Sequence, residues 1–246
     1  MSKKFLKDFS IYGIGGIISR FVGVITAPIY TRFLNTEGYG MLDLITSISA
    51  ILIIFATMEM HSGYARSYFE VKKNGQLNQL RGTVMLFFVG SFLLLLLVFI
   101  LLYPFLNHWI KIFEISLLIP VVLKLLPTMV ITLTLLTIQF EKKPVIYSLI
   151  AIGNLVLTAG CGIFAVTYLD LGVSGILWSN AIVSFIVVFI LFIVLFKYTR
   201  FNFNMTYLKE TALYSVPIVP AVLGSWLNNY IGRIFIAGTL SLSMLG

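Results

Sequence analysis

The sequence is poor in charge, and that scarcity excludes most soluble proteins. Charged residues make up only 11% of the 246 residues, whereas a soluble domain carries roughly 25%. Hydrophobic residues make up 59% of the chain, and a water-soluble fold cannot bury that much apolar surface. The composition therefore predicts a protein whose solvent is lipid.

Cysteines and catalytic motifs are also scarce. Cys161 is the only cysteine, so the chain has neither an intramolecular disulfide nor a paired-cysteine metal or redox motif. It contains no phosphate-binding loop, dinucleotide-binding glycine pattern, HExxH sequence or nucleophile elbow. Its polar loops are too short to form a soluble catalytic domain. We therefore predict a protein that is not an enzyme, with no catalytic residues, metal site or cofactor, and we leave coupling to H⁺ or Na⁺ open.

Long apolar runs fill most of the chain. A membrane-spanning helix needs ~20 apolar residues to cross a hydrocarbon core of ~30 Å. An outer-membrane barrel would instead alternate apolar and polar residues, and the run 92–102 shows no such alternation. The pattern predicts an all-α, polytopic membrane protein with about seven transmembrane helices. The predicted spans are 9–34, 39–60, 82–106, 112–138, 144–169, 172–196 and 211–239.

The basic residues lie mostly between the predicted spans. This distribution argues against nucleic-acid binding, which clusters basic residues on one soluble face. It also orients the chain, because cytoplasmic loops carry an excess of lysine and arginine. With the N-terminus in the cytoplasm, the cytoplasmic segments contain Lys3, Lys4, Lys7, Arg66, Lys72, Lys73, Arg81, Lys142, Lys143, Lys197, Arg200 and Lys209. The outer side then receives only Arg32, Lys111 and Arg233.

Arg20 is the first of two cations that fall inside predicted spans. It follows Asp8 by twelve residues, or ~18 Å of helix, which places it near the bilayer midplane. An arginine there costs roughly 2.5 to 3.5 kcal/mol and usually faces a bundle interior or a wet cavity. The functional interpretation is an anion-binding site, and the structural alternative is an ion pair with Asp43 or Glu59. Both carboxylates could instead contact lipid headgroups.

Lys124 is the second cation and lies in the fourth span between Pro120 and Pro127. Prolines in a transmembrane helix can open its backbone toward water. A cation facing the same cavity as Arg20 would suit an anionic substrate. The alternative is that the lysine extends along the helix to the membrane interface.

Further polar residues mark the inner end of the second span and the whole of the seventh. Glu59, His61 and Arg66 are close enough in sequence to form a pH-sensitive cluster. In the seventh span, Asn228 and Asn229 precede Arg233. Asparagines inside a span usually bridge helices by hydrogen bonds, and these two could also bind sugar hydroxyls.

A weak internal repeat indicates how the chain is divided. Residues 11–14 align with 213–216, and with one gap Arg32 falls on Arg233. Two short matches in apolar helices can also arise by chance. If the repeat is real, residues 1–200 form an N-terminal six-helix lobe and residues 201–246 begin a second lobe in a truncated chain, as in transporters built from repeats.

Four short motifs resemble those of a known family. The first is Ser19-Arg20-Phe21-Val22-Gly23, and the second is the run 31–40, TRFLNTEGYG. The others are Gly63-Tyr64-Ala65-Arg66 and the run 227–233, LNNYIGR. Together they resemble polysaccharide-type flippases of the multidrug/oligosaccharidyl-lipid/polysaccharide exporter superfamily. The resemblance implies two lobes that open alternately to each side of the membrane around a cationic cavity. Members of that family usually have an acidic residue where this chain has Gly232.

The resemblance also implies a substrate and a place of action. It implies a flippase that moves an undecaprenyl-diphosphate-linked oligosaccharide to the outer leaflet of the bacterial cytoplasmic membrane, for capsule, O-antigen or exopolysaccharide. Besides this substrate and membrane lipids, its partners would be a polysaccharide polymerase and glycosyltransferases. The implied substrate-binding residues are Arg20, Lys124, Arg66, Asn228, Asn229 and Arg233.

Two other functions stay open. One is an ion-coupled multidrug exporter of the same superfamily. Such exporters typically carry a carboxylate in the first helix, whereas this chain has no acidic residue between Asp8 and Glu37. The other is a non-transporting membrane scaffold that recruits enzymes of glycan synthesis.

Overall fold

The computed structural model describes residues 17–18, 21–109, 114–195 and 202–239, and within these ranges the chain is helical with no β-strand. We number the helices in chain order. They are α1 (Phe21–Phe33), α2 (Thr36–Thr57), α3 (Met60–Lys73), α4 (Leu77–Trp109), α5 (Leu118–Phe140), α6 (Pro144–Thr167), α7 (Gly172–Leu195), α8 (Met205–Ser215) and α9 (Val219–Thr239). Short 3₁₀ turns, Ile115–Leu117 and Val216–Ile218, precede α5 and α9.

Five of these helices are long and apolar enough to cross a membrane: Thr36–Thr57, Leu77–Leu106, Ile115–Phe140, Pro144–Thr167 and Gly172–Phe192. They coincide within a few residues with the second to sixth predicted spans. The prediction of an all-α polytopic membrane protein is thereby confirmed. Of the first predicted span, residues 9–16, 19 and 20 lie outside the described residues, and α1 covers its second half.

Local sequence explains where several helices begin. Asn35 caps α2, because its side-chain oxygen accepts a hydrogen bond from the Gly38 backbone N–H at 2.7 Å. Asn204 caps α8 in the same way by accepting from the Thr206 N–H at 2.9 Å. Pro144 occupies the first position of α6, where its missing N–H costs nothing.

The segment that follows α2 differs from the prediction. We expected a polar cytoplasmic stretch after residue 60, whereas the structure forms α3 there. The buried side chains Met60, Tyr64, Tyr68 and Val71 recur every three or four residues and give this polar segment one apolar face. The α2–α3 joint contains two consecutive left-handed residues, Met58 and Glu59.

The predicted seventh span is also divided. It begins earlier than predicted, at α8, and the Val216–Ile218 turn separates α8 from α9. Pro217 lies in this turn and Pro220 follows it in the first turn of α9, consistent with the helix break that the two prolines predict. The described residues do not test the proposed division into lobes at residue 200.

The helices pack as one bundle in which α2 is central. Helix α2 contacts α4, α5, α7 and α9, while α6 and α7 pack against each other and α3 packs against α8. Trp226 on α9 is buried against Ile54 of α2 and donates its indole N–H to the Ser47 carbonyl at 3.0 Å. Ser215 at the end of α8 accepts from the Gly63 N–H at 3.0 Å. These two contacts make α8–α9 antiparallel to α2–α3.

Candidate substrate-facing cations

An ion pair joins α2 to α9 within the bundle. The Nη1 group of Arg233 donates to Oδ1 of Asp43 at 2.7 Å. Asp43 lies seven residues after Thr36, so it is about 10 Å along α2 from the start of the span. The Asp43 side chain is 25% exposed and the Arg233 side chain is 43% exposed. The rest of the described chain therefore covers neither side chain completely.

An aromatic stack holds Arg233 in position on α9. The Trp226 and Tyr230 rings stack with centroids 6.0 Å apart, and the Arg233 guanidinium lies 5.1 Å from the Tyr230 centroid. A guanidinium over a tyrosine face gains a cation–π attraction. Because Trp226 is anchored to Ser47, the stack fixes the height at which Arg233 meets α2.

Asn228 and Asn229 are both exposed on α9. Asn229 lies four residues before Arg233, so the two side chains are neighbours one turn apart on the same face. Asn228 lies about 100° around the helix from Asn229, because each residue of an α-helix turns the chain by that angle. The structure therefore brings Asn229, but not Asn228, beside Arg233.

Lys124 lies within the α5 span and is half-buried. Its neighbours Val121 and Leu125 are buried core residues. Across the described residues, no carboxylate lies within 4 Å of its ammonium group. The helix runs through Pro127 without a break, so the predicted opening of the α5 backbone is not seen as a helix interruption. Lys124 is thus a cation without a counter-ion in the part of the span that the structure describes.

Arg66 belongs to a different part of the molecule. It is exposed on α3, and its guanidinium lies 4.5 Å from the centroid of the Tyr214 ring on α8. Tyr214 and Arg233 are 19 residues apart, or roughly 28 Å along α8–α9. Arg66, which contacts Tyr214, therefore lies at the opposite end of α8–α9 from Arg233, and the two are too far apart to bind one diphosphate together.

Of the three residues in the predicted pH-sensitive cluster, the structure brings Glu59 and His61 together but not Arg66. His61 Nε2 lies 3.3 Å from Glu59 Oε2, and the Ser62 hydroxyl donates to the same oxygen at 3.1 Å. Arg66 is held by Tyr214 instead. Glu59 is buried at the α2–α3 joint, so it does not lie among lipid headgroups as expected from its position at the helix end.

Arg20 lies outside the described residues, and its predicted role is untested. The structure does show what its two alternative partners contact: Asp43 pairs with Arg233, and Glu59 pairs with His61. Asp43 is the functional candidate that the sequence interpretation did not connect with Arg233, because it was weighed as a partner of Arg20 or as a headgroup contact. The available signal was Gly232, which stands where the family usually has an acidic residue and so leaves Arg233 to find a carboxylate elsewhere in the fold.

The comparison with known proteins identifies the family. A family model described as "Polysaccharide biosynthesis protein" matches residues 5–246. The chain belongs to this family. Its members are transporters or flippases, so the resemblance inferred from the short motifs is confirmed and the chain is a membrane protein of polysaccharide biosynthesis. No curated protein and no solved structure matched the chain.

Membership of the polysaccharide biosynthesis family gives the cations a chemical context. Lysine and arginine side chains bind anionic groups such as phosphates and carboxylates. Within the described residues, no group of three histidine, cysteine, aspartate or glutamate side chains is arranged to hold a metal ion. Among the described residues, Lys124 has no carboxylate within 4 Å and Arg233 is partly exposed, so both are candidates for binding an anion.

Proposed function

We propose that the protein is a flippase that moves an undecaprenyl-diphosphate-linked oligosaccharide from the cytoplasmic to the outer leaflet. Family membership supports a transporter of polysaccharide biosynthesis. The finer assignment rests on one observation, the half-buried Lys124 in the α5 span with no carboxylate within 4 Å among the described residues.

The position of Lys124 makes it suited to an anionic cargo. It is nine residues from Ile115, or about 14 Å along the helix axis, close to the middle of a ~30 Å hydrocarbon core. A charge at that depth is expensive unless a wet cavity or an opposite charge accompanies it. A diphosphate that passes through the membrane would supply the missing negative charge during transport.

Helix α9 offers a complementary polar face for the sugars. Asn229 and Arg233 lie one turn apart, and the amide of Asn229 is exposed. Amide and guanidinium groups can donate hydrogen bonds to hydroxyl and phosphate oxygens. We propose that Asn229 binds the glycan, while Arg233, Arg20 and Lys124 bind the diphosphate.

The remaining features of the proposal follow from the same function. The N-terminus would be cytoplasmic, in agreement with the charge distribution, and the membrane would be the bacterial cytoplasmic membrane. Residues 1–200 would form one lobe and residues 201–246 the start of the second. Membrane lipids, a polymerase and glycosyltransferases would be the partners, and H⁺ or Na⁺ is a candidate coupling ion.

A reconstitution assay tests the proposal. The full-length protein is inserted into vesicles that contain a fluorescent undecaprenyl-diphosphate oligosaccharide, and a membrane-impermeant quencher reports the labelled lipid in the outer leaflet. We expect the wild type to accelerate exchange between leaflets. Lys124→Gln should reduce the rate about tenfold or more, because hydrogen bonds to charged groups contribute about 1.5–3 kcal/mol.

Lys209→Gln is the matched control. It removes the same charge from an exposed lysine on α8 and should leave the exchange rate unchanged. A wild-type protein that exchanged a fluorescent drug but not the labelled glycolipid would contradict the proposal and favour a drug exporter. Full exchange by Lys124→Gln would remove its main support.

A further inference from the structure

We infer that Asp43 is an exchangeable counter-ion of Arg233. Its carboxylate pairs with the arginine until the anionic group of a ligand replaces it. This inference rests on the proposed function, because it takes the ligand to be a lipid-linked diphosphate. It assigns a positioning role to a residue on α2 and makes the α2–α9 contact sensitive to ligand.

The geometry of the pair is suited to exchange. Only one hydrogen bond joins the two side chains, from Nη1 of Arg233 to Oδ1 of Asp43. A guanidinium carries five N–H donors and can bind a carboxylate by two parallel bonds. Among the described residues, the other Arg233 donors have no hydrogen-bond partner. An incoming phosphate can therefore contact the guanidinium before the carboxylate leaves.

The surroundings of the pair favour replacement over simple opening. The two side chains lie on helices that pack against each other, and separating them would leave two charges without a partner. A ligand diphosphate removes half of that cost, because it neutralises Arg233 as the carboxylate departs. Asp43 can then be hydrated, since its side chain is already partly exposed.

A second contact determines how α9 can respond. Trp226 remains buried against α2 and bonded to the Ser47 carbonyl, two turns of helix away from Arg233. Loss of the Asp43 contact therefore releases the C-terminal part of α9 while Trp226 keeps the helix attached. The expected movement is a rotation of α9 about Trp226, which widens the distance between the outer end of α2 and Arg233.

Binding of undecaprenyl diphosphate to the full-length protein in detergent tests the inference. If the pair is closed about nine-tenths of the time, Asp43→Asn should bind this probe about tenfold more tightly, because the competitor for Arg233 has been removed. A purely structural Asp43 predicts the opposite, since its loss would loosen the site and weaken binding. Glu37→Gln is the control, because it removes one negative charge from an exposed residue of the same helix, and it should leave the affinity unchanged.

A distance measurement gives a second, independent result. Spin labels at Thr36→Cys and Ile231→Cys, both exposed positions, are introduced in a Cys161→Ala background. We expect the probe to lengthen the distance in the wild type, and Asp43→Asn to show the longer distance without the probe. Binding without a change in distance and without a gain in Asp43→Asn would overturn the inference and leave the proposed function standing. Failure of the wild type to bind the probe would overturn both.

Discussion

Gly63 on α3 donates its backbone N–H to the Ser215 hydroxyl on α8 at 3.0 Å, and this contact brings the two helices into unusually close approach. A methyl group on Gly63 would lie 2.5 Å from the Thr211 carbonyl oxygen and 2.6 Å from the Ser215 hydroxyl. The glycine of the Gly63-Tyr64-Ala65-Arg66 motif thus has a packing reason, the direct contact of α3 with α8.

Gly63→Ala should destabilise the protein. The nearest atom to the added methyl group is the Thr211 backbone oxygen, which cannot rotate away, so α3 and α8 must separate. Overpacking of this kind costs about 1–3 kcal/mol. Thermal unfolding in detergent measures the loss. Gly224→Ala is the control, since a methyl group there meets nothing within 4 Å, and it should be neutral or slightly stabilising. Equal melting temperatures for the two variants would contradict the packing argument.

Trp226→Phe should weaken the contact between α2 and α9. The substitution keeps an aromatic ring but removes the indole N–H that donates to the Ser47 carbonyl at 3.0 Å. We expect a loss of about 1 kcal/mol in the free energy of unfolding, the typical net value of one hydrogen bond. Trp178→Phe, at a more exposed tryptophan, should cost less, and the reverse order would count against an anchoring role for Trp226.

Arg66 and Tyr214 should behave as a coupled pair. Their cation–π contact is expected to contribute about 0.5–1 kcal/mol at an exposed site. In a double-mutant cycle, Arg66→Gln and Tyr214→Leu should each reduce stability, and the double variant should cost less than the sum of the two. If Arg66→Gln abolishes glycolipid exchange while Tyr214→Leu leaves it intact, Arg66 binds substrate instead of holding α8.

We expect the stability of the protein to depend on pH in the alkaline range because of Tyr64. Burial raises the pKa of the Tyr64 phenol above its ordinary value, although Arg81 and the hydrogen bond with Thr137 oppose the shift. The folded state therefore holds the phenolic proton more tightly than the unfolded state, so its stabilising effect is complete below the unfolded pKa of about 10 and decreases as the pH rises above it.

Tyr64→Phe should remove this part of the alkaline loss. The variant is expected to be less stable than the wild type near neutral pH, because it lacks the hydroxyl that bonds Thr137 at 2.8 Å. Its stability should then fall less steeply between about pH 9 and about pH 11. Chemical unfolding at a series of pH values measures both effects, and parallel curves would show that Tyr64 does not ionise in this range.

Part of the candidate site could be predicted from residue type alone. Lys124 is recognisable in the sequence because it is a charge within an apolar run, and its position in the α5 span agrees with that prediction. The partner of Arg233 could not be found in this way. Asp43 is 190 positions away in the chain, and only the antiparallel packing of α9 on α2 brings the two residues together.

The sequence by itself determined the membrane environment, the helical class, the family and several helix ends, because these depend on composition and on residues close together in the chain. Apolar length places a segment in lipid whatever its neighbours are, and Asn35 caps α2 through atoms only three residues away. The tertiary structure alone decided which cations are neutralised and which are not. It paired Arg233 with Asp43, placed Arg66 on Tyr214 and left Lys124 without a carboxylate among the described residues. Ion pairing depends on distances of a few ångströms between separate helices, and no local pattern encodes those distances.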